Sequence, residues 1–242
     1  MKTENVINTL RDDNEYYYGE GTKYLSNSNI TTLLKNPKEF GVKQEKTQAM
    51  IMGNAIHEIT FFGSTDLPTI EASSRNTNIY KNRDQDGVVL LQKEMDQCQK
   101  IADVLKQTDS ASVLFDESNT YEEPMIKDLF GNGVLWKGKA DILCKSTNKI
   151  IDLKSTSNID SFASKAKLYN YDSQAWIYKE LFGMDVMFFV IEKESHRMKI
   201  IEVSDETLER GRNKAEEAEQ NYIEMFVEKT ADPKQFVEYG LI

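Results

Sequence analysis

Hydrophobic positions divide the chain into two regimes. Up to about residue 113 they recur with helical spacing. Met50, Ile51, Ile56, Ile59 and Phe62 in AMIMGNAIHEITFFG predict a largely buried helix that stops at Gly63. Leu90, Leu91, Met95, Ile101, Ala102 and Leu105 predict a second helix over Val88 to Val113. Ahead of these, SNSNITTLLKNPKEF reads as a short helix with Ser26 or Ser28 as its cap and Pro37 just past its end. Tyr16 to Gly21 reads as an irregular arm, and the polar stretch Thr65 to Gly87 as a loop, the segment expected to move most.

Further on the period shortens to two. TYEEPMI, GVLWKGKADILC, KIIDLKS, DVMFFVIEK and RMKIIEV all predict strands. A helix over Tyr171 to Phe182 interrupts them, and another, capped at Ser204, runs towards Lys229. Helices, then strands enclosing a helix, then a helix predict an α/β (α+β) sheet with helices on its faces. A single domain over 1–242 is expected, with an arm (1–25), a helical part (26–115), a sheet core (116–203) and a C-terminal helix and tail (204–242).

Alternation places Val134, Trp136, Gly138, Ala140, Ile142 and Cys144 on one face of their strand, and Lys137, Lys139 and Asp141 on the other. Asp152 and Lys154, two positions apart, share a face of the next strand. The short connection KSTN predicts an antiparallel hairpin, and a symmetric turn about Ser146 and Thr147 sets Asp141 opposite Asp152 and Lys139 opposite Lys154. Opposed side chains have Cβ atoms about 5 Å apart, so two carboxylates there repel unless something neutralises them. A divalent cation with oxygen ligands would do so. On this pattern alone, a surface hairpin with Asp and Lys alternating outwards competes with a site. His57, in the otherwise apolar helix around GNAIHE, and Gln174 and Tyr178, one helical turn apart in DSQAWIYKE, are further candidates; each taken singly reads more readily as packing than as a site.

Composition narrows the classes. A net charge of −10 argues against a protein that coats nucleic acid by bulk charge, while leaving room for a local basic groove. Cys98 and Cys144 are the only two cysteines, too few for a four-cysteine iron–sulfur cluster or zinc site, and free thiols are expected. No apolar run approaches the ~18 residues of a membrane span, and no signal-peptide pattern opens the sequence, so a soluble cytoplasmic protein is expected.

Taken in order, GNAIHE with His57, GKAD with Asp141, DLKS with Asp152 and Lys154, and QAWIY with Gln174 and Tyr178 resemble the PD-(D/E)XK nuclease superfamily. Within it they are similar to the RecB-like and exonuclease VIII (RecE)-like branch, and YLSNSNITTLLKNPKEF looks like the segment preceding the histidine motif there. The resemblance implies a restriction-endonuclease-like core, a central mixed β-sheet flanked by helices. It implies one or two Mg²⁺ or Mn²⁺ ions held by His57, Asp141, Asp152 and the Leu153 carbonyl, with Lys154 orienting or deprotonating the attacking water. Gln174 and Tyr178 would position the DNA end or brace the site, and Glu122 or Glu123 would add a ligand or support one. Lys137, Lys139, Lys165 and Lys167 are candidates for lining a DNA channel. The activity implied is a stand-alone phage-type exonuclease without an iron–sulfur cluster, acting on duplex ends in the bacterial cytoplasm, with a single-strand annealing protein as partner and a ring-shaped oligomer. A single-strand nuclease, an endonuclease, and a silent nucleic-acid-binding or partner-binding module on the same fold are the alternatives.

Overall fold

The computed structural model describes residues 2–43, 45–84 and 87–237. Among the described residues, four α-helices come before the first short strand, which pairs with the second in a small sheet of its own: α1 (Lys2–Thr9), α2 (Asp13–Tyr17), α3 (Ile30–Lys35) and α4 (Gln48–Phe62). Then follow β1 (Thr69–Ile70), α5 (Asn78–Arg83), β2 (Leu90–Leu91) and α6 (Gln92–Gln107). The main sheet is built from β3 (Thr120–Asp128), β4 (Leu135–Cys144), β5 (Lys149–Thr156), β6 (Asp185–Glu192) and β7 (Met198–Glu202). The helices α7 (Phe162–Lys165) and α8 (Tyr171–Phe182) connect β5 to β6, and α9 (Asp205–Tyr222) follows β7.

Strand order is β3-β4-β5-β6-β7, antiparallel except for the parallel pair β5 and β6, which the α7–α8 crossover makes possible. The sheet is mixed and covered on both faces. Ile151 and Leu153 of β5 and Met187, Phe189 and Ile191 of β6 belong to a core with Ile56 and Ile59 of α4 and Ile101 and Leu105 of α6. The alternate residues, Ile150 of β5 and Val186, Phe188 and Val190 of β6, pack with Ala175 of α8. Asp152 and Lys154 follow Ile150 in alternation and therefore lie on the α8 side. Among the described residues no helix is long and apolar enough to cross a membrane.

Element boundaries follow local chemistry. Thr47 caps α4 by accepting from the Met50 amide, and Gly63 ends it at φ +87. Ser26 and Asn29 form a reciprocal capping box ahead of α3. Three expectations need correction. The arm is helical at Asp13–Tyr17 and again as a 3₁₀ turn at Glu20–Lys23, because Tyr16 is buried with Leu10 and Ile126 instead of trailing in solvent. The expected mobile loop holds α5 and β1, tied down by the buried Tyr80 hydroxyl donating to the Val89 carbonyl and by Arg75 pairing with Glu94; its residues 85 and 86, like tail residues 238–242, lie outside the described residues. The second helix starts at Gln92, not Val88, because the Glu94 carboxylate accepts the Leu91 amide and fixes the start there.

α8 and α9 approach closely at Gly211. A Cβ there would sit 2.2 Å from the Asp172 carbonyl oxygen, and backbone cannot swing away as a side chain can. Gly211→Ala is expected to lower stability by about 2 kcal/mol; an unchanged urea midpoint would count against this packing.

Candidate active site

The site forms where two sheet strands part. β4 and β5 turn symmetrically, with Ile142 opposite Ile151, Leu143 opposite Ile150 and Cys144 opposite Lys149, the register expected from the turn. Backbone pairing then stops one residue short of the aspartates. The Leu153 amide, with no ladder partner on β4, donates to Asp141 Oδ2 at 3.0 Å, so the carboxylate fills the gap between the strands.

The same level of β4 changes phase. Trp136 and Ala140 pack among residues of the α8 side, whereas Ile142 and Cys144 belong to the α4–α6 core. The six residues expected on one face are therefore split between two, and the break falls at Asp141. Across the strand pair Glu122 has φ +53, in the left-handed region that a non-glycine residue enters at a cost of about 1 kcal/mol or more. It makes no strand pair, although Tyr121 pairs with Ile142 and Glu123 with Ala140 on either side of it. The kink turns Glu122 towards α4. Its Oε1 lies 3.1 Å from His57 Nδ1, and His57 Nε2 lies 3.3 Å from Asp141 Oδ2. Ligand atoms of His57, Glu122 and Asp141 all fall within 4.8 Å of one another.

Asp152 occupies the adjoining half. It is 1 % exposed; Gln174 Nε2 donates to its Oδ2 at 2.6 Å and Lys154 Nζ lies 2.5 Å from its Oδ1. Tyr178, one turn along α8 from Gln174, donates to the Lys139 carbonyl at 2.9 Å. The two α8 side chains thus hold β5 at Asp152 and β4 two residues before Asp141. Gly138 makes room for this, since a Cβ there would come within 3 Å of Leu181 and Tyr178 side-chain atoms. The Lys154 ammonium also sits 5.0 Å from the centre of the Tyr171 ring.

Electrostatics in this enclosure are strongly coupled. Burial raises the Asp152 carboxyl to about 6, with the Asp141 charge adding to the effect and Lys154 opposing it. Burial also raises Glu122 to about 7, against the pull of His57. For His57, burial works against the charged form, but Asp141, Glu122 and Asp152 outweigh it and lift the imidazole to about 9. Burial likewise opposes charge on Lys154, and Asp152 and Asp141 overcome it, so the ammonium holds its proton more tightly than usual. Asp141 is held below the ordinary range: burial resists, and His57 and Lys154 prevail.

His57 Nε2 has Asp141 Oδ2 as its polar neighbour at 3.3 Å, and Asp152 Oδ1 has the Lys154 ammonium at 2.5 Å. Three carboxylates crowded beside one imidazole are what a divalent cation would neutralise, and the donor set of imidazole nitrogen and carboxylate oxygens fits Mn²⁺ or Mg²⁺. Residues 23–237 match the family described as a PDDEXK-like domain of unknown function (DUF3799). The chain belongs to this family. Its PDDEXK-like fold is shared with a solved structure from Eubacterium rectale whose assignment as an exonuclease is provisional, at 18% identity and a TM-score of 0.60, covering 96% of this chain and 95% of that one. A phage related exonuclease from Haemophilus somnus 129PT is more distant, at 16% identity and a TM-score of 0.39 over 85% of this chain and 96% of that one. No curated protein matches the sequence.

Within this PDDEXK-like domain, the residues singled out from sequence fall into three groups. His57, Asp141, Asp152, Lys154, Gln174 and Tyr178 come together around one site, as described above, while the Leu153 side chain enters the α4–α6 core. Of the two glutamates, Glu122 enters and Glu123 turns away to a bidentate pair with Arg11 at 2.9 and 2.6 Å. Lys165 and Lys167 are exposed. Lys137 and Lys139 require correction as channel-lining groups: they are 7 % and 6 % exposed. Lys137 donates to the Tyr16 carbonyl, Lys139 pairs with Asp13 at 2.5 Å, and both ammonium groups lie over the Tyr16 ring. Sequence reasoning missed Asp13 and Tyr16, whose signal lay in the charged and aromatic run DDNEYYY.

Proposed function

We propose that this protein is a metal-dependent DNA exonuclease that hydrolyses phosphodiester bonds from duplex ends, in phage-type recombination or DNA processing. The observation that carries the reading is the convergence of His57, Glu122, Asp141, Asp152 and Lys154 where β4 and β5 part, which sets three carboxylates, an imidazole and an ammonium at one place. His57, Glu122, Asp141 and Asp152 would hold Mg²⁺ or Mn²⁺, with the Leu153 carbonyl as a further ligand. When bound, such an ion supplies charge neutralisation at the phosphate and a more acidic water.

The chain's own groups do the rest. Lys154, whose ammonium lies 2.5 Å from Asp152 Oδ1, would orient or deprotonate the attacking water and stabilise negative charge developing on the phosphate oxygens. Gln174 fixes one Asp152 oxygen so that the other faces Lys154 and the site. Tyr178 keeps β4 at a fixed offset from α8. Preference for duplex ends, an annealing protein as partner and a ring around DNA belong to the same proposal and follow from the motif resemblance.

An end-labelled linear duplex with Mg²⁺ or Mn²⁺ tests it. Linear duplex should be shortened from its ends, closed circular duplex and circular single strands should be spared, and chelation should stop the reaction. Cleavage of either circle would move the reading to an endonuclease or single-strand nuclease. Absence of cleavage under every metal condition would leave a silent binding module.

A further inference from the structure

The run EYYYGEG is built as a rigid mount. Tyr16 is buried, with the ammonium groups of Lys137 and Lys139 at 4.1 and 4.6 Å from its ring centre and its carbonyl accepting from Lys137. Two buried cations are spent on fixing a five-residue helix, α2, whose Asp13 also pairs with Lys139. Tyr17 and Tyr18 project from this mount and are 52 % and 55 % exposed. Tyr17 meets Tyr16 edge-on at 5.0 Å, and the Tyr17 and Tyr18 rings lie 6.2 Å apart. Exposed lysines flank them on the segment before α4: Lys46 Nζ is 5.9 Å from the Tyr17 ring centre and Lys43 Nζ 5.3 Å from that of Tyr18. Tyr17 also lies 5.9 Å from the Lys139 ammonium, on the strand that reaches Asp141 two residues later. A half-exposed aromatic pair flanked by cations, in a chain of net charge −10, is complementary to unpaired nucleobases on a phosphate backbone.

We propose that Tyr17 and Tyr18, with Lys43 and Lys46, form a stacking platform that receives unpaired bases of a nucleic-acid strand next to the candidate active site. The proposal rests on the nuclease reading for its substrate class. Tyr17 and Tyr18 supply faces for the bases, and Lys43 and Lys46 attract the flanking phosphates. Melted or frayed ends are then bound in preference to blunt ones.

The test uses the full chain, in EDTA so that no strand is cut, and short single strands carrying 2-aminopurine at each position in turn. At least one position should be quenched on binding, and Tyr17→Ala with Tyr18→Ala should remove the quenching and weaken binding about ten-fold. Tyr17→Phe with Tyr18→Phe should keep both, since the ring faces remain. Lys43→Ala with Lys46→Ala should flatten the salt dependence of binding by about two phosphate contacts. No quenching at any position in the bound wild-type complex, or no binding of strands at all, overturns the platform without reliance on any variant's folding. Cleavage by wild type with metal but no quenching removes the platform alone; quenching without cleavage under any metal removes the nuclease reading alone.

Discussion

Lys154→Ala is expected to reduce phosphodiester hydrolysis to a trace while leaving the chain folded. The ammonium lies 2.5 Å from Asp152 Oδ1, which sets a positive charge and a hydrogen-bond donor at the place where negative charge would develop. Losing one such donor lowers turnover by about 10²–10³-fold. A second consequence separates a site residue from a bystander. Asp152 would keep only Gln174 as a partner, and a buried carboxylate stripped of its counter-charge destabilises by about 3 kcal/mol. The metal-free variant should therefore melt earlier than wild type at pH 7 to 8, and Mn²⁺ should raise its melting temperature more than it raises that of wild type. Lys154→Arg should not restore full turnover, because a planar fork replaces a compact charge in an enclosed site. Hydrolysis at the wild-type rate by pure Lys154→Ala protein would remove the assignment.

The order of strands and helices was legible because each buried face obeys a simple period. α8 runs over Tyr171–Phe182 as its pattern predicts, and the β4–β5 register follows from a symmetric turn. What failed to show were departures from period. The phase change at Asp141 and the positive φ of Glu122 sit inside strands whose residue types read as continuous, and nothing in TYEEPMI marks which glutamate turns inwards. That choice is tertiary: His57 offers a partner on one side and Arg11 on the other. Lys137 and Lys139 misled for the same reason. Alternation put them on a polar face, but Tyr16 and Asp13, more than a hundred residues earlier, cover that face. The strand pattern shows where a charged face is; the N-terminal helices decide whether it meets water.

Affinity for Mn²⁺ is expected to rise steeply between pH 6 and 9. Ligand atoms must shed their protons before they can hold a cation, and three groups here keep protons late: Asp152 to about 6, Glu122 to about 7 and His57 to about 9. Binding at pH 7.5 should therefore release protons, measurable by calorimetry in buffers of different ionisation enthalpy, and His57→Gln should abolish the part of the pH dependence above pH 7. The same shifts set the stability of the metal-free protein with the opposite sign. Each of the three groups has a folded pKa above its unfolded one, so its stabilising contribution is complete below the unfolded value and is lost as pH rises through the folded value. Asp141, held low, contributes above the ordinary carboxylate range and loses its contribution only as pH falls through its folded pKa. Metal-free melting temperatures should thus decline from mildly acidic pH towards pH 9, while saturating Mn²⁺ makes the decline shallower or reverses it. A pH-independent affinity with no proton release would mean that His57, Glu122 and Asp152 are not the groups that hold the ion.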